Sequence, residues 1–122
     1  MIIAGLLVFG ACGAVLRYLV DHLIQRRLGS DFPLGTLIIN ATGSLVLGLL
    51  TGSAEHQGVP ATWLTVAGTG LIGAYTTFST FTFDTVRLAE NDQWGLSLLN
   101  VAASVGVSLA AAVAGLALGS LT

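Results

Sequence analysis

Four runs of mostly apolar residues divide this chain, separated by short polar breaks at residues 29–33, 55–60 and 90–92. A membrane-spanning helix needs about 20 such residues. The spacing predicts spans at about 2–28, 34–53, 61–88 and 94–118. A span in lipid satisfies its own backbone, so the expected fold is all-α with four transmembrane helices in one membrane domain over residues 1–122. Charge points the same way. Only 8% of residues are charged and 54% are hydrophobic, whereas a soluble domain carries about 25% charged residues.

The scarcity of polar chemistry excludes several classes. No basic run is present to track a phosphate backbone. Cys12 is the single cysteine, so no internal disulfide forms. His22 and His56 lie far apart without cysteine partners, which argues against zinc. Gly68-x-Gly70-x-x-Gly73 matches a dinucleotide fingerprint in letters. It lies inside an apolar span rather than after a strand, so it reads as helix packing. No nucleophile–base pair or metal constellation suggests an enzyme. Residues 1–16 are apolar with no preceding positive charge, so they read as a retained first helix rather than a signal peptide. Arg26, Arg27 and Arg87 fall on one side, which by the positive-inside rule places both termini outside. Trp63 and Trp94 fit interfacial anchors.

The third span is the odd one. From Ala61 to Val86 an unbroken helix would extend ~39 Å, longer than a hydrocarbon core of ~30 Å. Gly68, Gly70 and Gly73 weaken it ahead of Thr76, Thr77, Ser79, Thr80 and Thr82, whose hydroxyls alternate with Phe78, Phe81 and Phe83. Hydroxyls re-satisfy backbone groups where a membrane helix breaks. A break is expected between about Gly73 and Ser79, and such breaks occur only against protein or water, which marks a functional site.

Two other spans carry polar stripes at i, i+4 spacing: Thr36, Asn40 and Ser44, then Asn100, Ser104 and Ser108. Taken singly, these residues read as hydrogen-bonding glue between helices. Together with the broken span they read as a polar path. The path offers donors and almost no ionised groups; Arg17 and Asp84 stand nearer span ends. A cation path usually has buried carboxylates. Aromatic edges are positively polarised, and a broken helix exposes N–H groups, so Phe78 and Phe81 suit a small dehydrated anion. Plain packing is the alternative for the rings. Arg17 reads either as a structural donor to loop carbonyls or as a source of positive potential at a vestibule; the structural role is favoured.

Three motifs in order carry a family resemblance: Gly10-Ala11-Cys12-Gly13-Ala14-Val15-Leu16-Arg17-Tyr18, Gly35-Thr36-Leu37-Ile38-Ile39-Asn40 and Gly73-Ala74-Tyr75-Thr76-Thr77-Phe78-Ser79-Thr80-Phe81. On these the chain resembles the small bacterial fluoride channels of the Fluc/CrcB family over its whole length. The resemblance implies an antiparallel, dual-topology homodimer in the bacterial inner (plasma) membrane, with two pores for passive fluoride efflux. A pair of oppositely oriented homologous chains is the alternative assembly. It further implies that Asn40, Phe78, Phe81, Ser104 and Ser108 line the anion path, with Asn100 extending it; Thr36, from the span-two stripe, and Ser79, from the broken span, are candidates for the same path. It also implies that Gly73 and Thr76 carbonyls hold a structural Na+ at the dimer interface, and that Arg17 stands at the vestibule. Asp84 occupies a position where the family usually has Glu. Two other functions fit four spans: a small multidrug-type cation exporter, which needs a carboxylate in the membrane core, and a non-transporting assembly subunit.

Overall fold

The computed structural model describes residues 1–122 and is all-helical. Helix α1 spans Ile2–Leu28, α2 Leu34–Gln57 and α6 Trp94–Gly119. Each of the three is long and apolar enough to cross a membrane. The third span is built in pieces: α3 (Ala61–Leu64), a π-helical segment (Thr65–Ile72), α4 (Gly73–Tyr75), an extended step, and α5 (Ser79–Glu90). This is a multi-pass membrane protein.

Local chemistry explains the ends. Gly29 closes α1 by donating its N–H to Gln25 O, and Pro33 fits the start of α2 because its missing N–H costs no helical hydrogen bond there. Gly58 ends α2 in the left-handed region, at φ 68°, where a residue with a Cβ is strained. α2 therefore continues to Gln57, past Ser53, where the apolar pattern fades. The turn between α5 and α6 bends at Asp92, φ 59°, and aspartate tolerates that region better than most residues. Trp63 and Trp94 are both exposed, near opposite ends of the bundle.

Packing relies on small residues. Added Cβ atoms on Gly48 and Gly52 would strike α6 backbone, and on Gly115 and Gly119 would strike α2 backbone. The two helices thus touch main chain to main chain, as small residues permit in lipid. Gly13 plays the same part for α1 against Leu71 in the π-helical segment. Most large apolar side chains, such as Leu7, Leu19 and Leu109, face outward, which suits a lipid surface rather than water.

Candidate functional site: the broken third span

The break falls inside the expected interval, and its hydrogen bonds explain how it is held. Thr76 is extended, at φ −79° and ψ 162°, so the helix stops after Tyr75 and restarts at Ser79. In an unbroken helix the Thr77 N–H would go to Gly73 O. Here it goes to Asn40 Oδ1 at 2.8 Å, and Asn40 Nδ2 donates to Thr77 O at 2.8 Å. One amide thereby replaces a lost turn of backbone bonding. Thr77 Oγ1 accepts the Thr80 N–H at 3.2 Å, acting as a cap on the first turn of α5. Both diversions take ladder donors away from the carbonyls of Gly73 and Thr76. Thr76 O accepts instead from Arg17 Nη1 at 3.3 Å.

An open groove of about 810 Å³ runs beside the break. Asn40, Ser44, Gly73, Thr76, Phe78, Phe81 and Ser104 all line it, and none of its lining residues is ionisable. The Phe78 and Phe81 rings lie with centroids 5.8 Å apart and planes tilted by 50°. Phe78 is 78% exposed, so most of its ring meets no other part of this chain. Asn40 spends one amide N–H on Thr77 and retains a second donor.

Apart from Ser104, the remaining candidate residues stand off from this groove. Thr36 donates to Asp84 Oδ2 at 3.1 Å and lines a smaller cavity of about 280 Å³ with Asp21, Asp84 and Arg87. Asp84 also lies 3.8 Å from Arg87. Ser79 shares a 3.3 Å hydrogen bond with the Thr77 hydroxyl. Asn100 is fully buried between α5 and α6, donating to Thr85 Oγ1 at 2.8 Å. Ser104 reaches the groove wall and donates to Asn100 Oδ1 at 3.2 Å. The Ser108 hydroxyl is buried without a partner. Arg17 lies behind the break on Thr76.

Thr77 and Thr85 were not among the residues singled out as site members. Each is one hydroxyl among several in a run, and its distinction lies in a partner 37 or 15 positions away. No local spacing signals that. Tyr75 is similar: it is buried and its hydroxyl pairs with Thr42 at 2.9 Å.

Comparison with known proteins converges on one group. A "Fluoride-specific ion channel FluC 1" of Leifsonia xyli subsp. xyli is 43% identical over 99% of this chain and 88% of its own length. A "Fluoride-specific ion channel FluC 2" of Mycobacterium bovis is 47% identical over 91% of this chain and 85% of its own. A "Fluoride-specific ion channel FluC" of Maridesulfovibrio salexigens is 41% identical over 92% of this chain and 90% of its own length. Residues 4–116, which include every residue lining the groove, match the family described as CrcB-like protein, Camphor Resistance (CrcB). The chain therefore belongs to the CrcB-like family.

Proposed function

We propose that this protein is a fluoride channel that lets the anion leave the bacterial cell passively across the inner membrane. The observation that carries the reading is the groove itself. It gathers a free amide donor on Asn40, the Ser104 hydroxyl and the tilted Phe78–Phe81 pair along a wall without ionisable side chains. A small anion stripped of water needs donors and polarised ring edges, and this wall offers both. Ser108, with its unpaired hydroxyl, continues the donor line along α6. Thr36 and Ser79 flank the path rather than line the groove. The names of the relatives support fluoride as the ion.

The same reading includes a second copy of the chain. The groove is open, and Phe78 lies largely uncovered on it. An antiparallel copy would close the groove and make two equivalent pores. Gly73 and Thr76 are the residues we assign to a structural sodium ion between the copies. Both line the groove, and both carbonyls lose their ladder donors at the break. Hard cations take such oxygens, and Thr76 O has a second lone pair beside the one used by Arg17. A bound sodium supplies positive charge and a fixed geometry there; no covalent step is required of any residue.

Exporter chemistry has less support, because no carboxylate borders the groove and Asp84 belongs to the other cavity. Liposomes loaded with fluoride or chloride test the proposal. Purified protein should release fluoride rapidly to an electrode and retain chloride. Protein shown to be folded that releases neither ion contradicts it.

A further inference from the structure

The geometry points to Thr85 and Asn100 as positioning residues that set the separation between Phe81 and Ser104, which line the groove from α5 and α6; the inference rests on the channel reading above. Four groups form one directed chain. Ser104 Oγ donates to Asn100 Oδ1 at 3.2 Å, and Asn100 Nδ2 donates to Thr85 Oγ1 at 2.8 Å. Thr85 Oγ1 then donates to Phe81 O at 2.8 Å. Because Asn100 occupies a lone pair of the Thr85 hydroxyl, the hydroxyl proton is directed at Phe81. Ser97 fixes the same turn by donating to Thr85 O at 2.8 Å. Asn100 is fully buried, so water does not readily replace its own two bonds.

Phe78 provides the contrast. Its carbonyl also receives a hydroxyl, from Thr82 at 3.0 Å, but Thr82 is exposed and is held by no other helix. Only the Phe81 end of the ring pair is tied to α6. Ser104 and Phe81 thus begin and end one rigid chain, and both line the groove. A fixed distance between a hydroxyl and a ring suits one size of bare anion. A slackened distance would admit a larger one and hold fluoride less well.

The test compares Thr85→Val, Thr85→Ser and Asn100→Leu in liposomes, reading fluoride release and the fluoride-to-chloride ratio. Thr85→Val and Asn100→Leu should each slow fluoride release about tenfold and lower the ratio, while Thr85→Ser stays within about twofold of the parent. A purely structural role would change the amount of folded protein and leave the ratio unmoved. Parent-like flux and ratio in Thr85→Val and Asn100→Leu overturn the inference, as does a Thr85→Ser variant as impaired as Thr85→Val. Where Thr85→Val does not fold, the milder Asn100→Ser carries the same comparison. Fluorine NMR of protein with fluorophenylalanine at 81 or 78 supplies an arm independent of transport. Asn100→Ser should shift or broaden the Phe81 signal and spare Phe78; an unmoved Phe81 signal overturns the inference. Parent protein that releases no fluoride removes the channel reading, and the Phe81 signal still decides the positioning claim.

Discussion

Where α2 meets α6, glycines let two backbones touch; where the same α2 meets the break, one asparagine keeps two helix ends from joining. Along the seam, Gly48, Gly52, Gly115 and Gly119 sit against main-chain atoms of the facing helix. At the break, Asn40 exchanges two 2.8 Å hydrogen bonds with Thr77. Lipid offers no hydrophobic drive between helices, so the seam must rely on close packing. Packing of that kind tolerates no new atom, yet it specifies no ligand. The break costs backbone bonds and needs polar replacements, and in return it leaves donors and carbonyls facing a groove. One helix thus carries a scaffold contact and a site contact a little over two turns apart, between Asn40 and Gly48.

Substitutions separate the two roles. The largest effect is expected at the break. Asn40→Ala removes both bonds and strands the Thr77 N–H and C=O, so it should cost about 3 kcal/mol of stability and abolish fluoride release. Thermal unfolding in detergent and liposome flux read the two losses. If Asn40→Ala conducts like the parent, the break and the seam are not functionally different. Gly115→Val comes next. Its side chain meets Leu45 O, which belongs to a backbone that cannot step aside. A cost of about 2 kcal/mol is expected, with less folded protein but an unchanged fluoride-to-chloride ratio in what remains. A changed ratio would mean that the seam also shapes the path.

Arg17→Gln tests the back of the break. The guanidinium donates to Thr76 O at 3.3 Å, a long bond in a half-buried place. Its loss should lower stability by about 1 kcal/mol, seen as a small shift in the unfolding midpoint. Flux should fall less than in Asn40→Ala. The smallest effect belongs to the outer end of the seam. Ser53 bonds Gly119 O at 3.3 Å and the Thr122 hydroxyl at 3.0 Å in a half-buried position near the chain's end. Ser53→Ala should stay within about 0.5 kcal/mol of the parent on both readouts.

The seam and the break were unequally legible in the sequence. Span lengths, the break interval and Asn40 follow from patterns that any membrane chain must obey, because an amide or a run of hydroxyls in lipid demands a reason. The four-residue spacing of Gly48 and Gly52, and of Gly115 and Gly119, also suits close packing. What sequence could not supply was direction. Thr36 and Asn40 share an i, i+4 stripe, yet Thr36 turns to Asp84 and Asn40 to Thr77. Asn100 stands in line with Ser104, yet it is sealed behind the groove while Ser104 reaches its wall. A helix drifts between residues four apart, and a few tens of degrees decide which neighbour a short side chain meets. The π-helical segment at Thr65–Ile72 was not foreseen either. Its wider turn changes which backbone groups pair, and it carries no composition of its own beyond the glycines already read as packing.

We propose that the rings at the break, and not the seam, form the fluoride path. The most direct test is fluoride release from liposomes containing Phe78→Ile/Phe81→Ile protein that is shown to be folded. The double variant keeps apolar bulk and removes both polarised edges. Release should fall to the leak of empty liposomes. Release at the parent rate would contradict the account and leave the rings as ordinary packing.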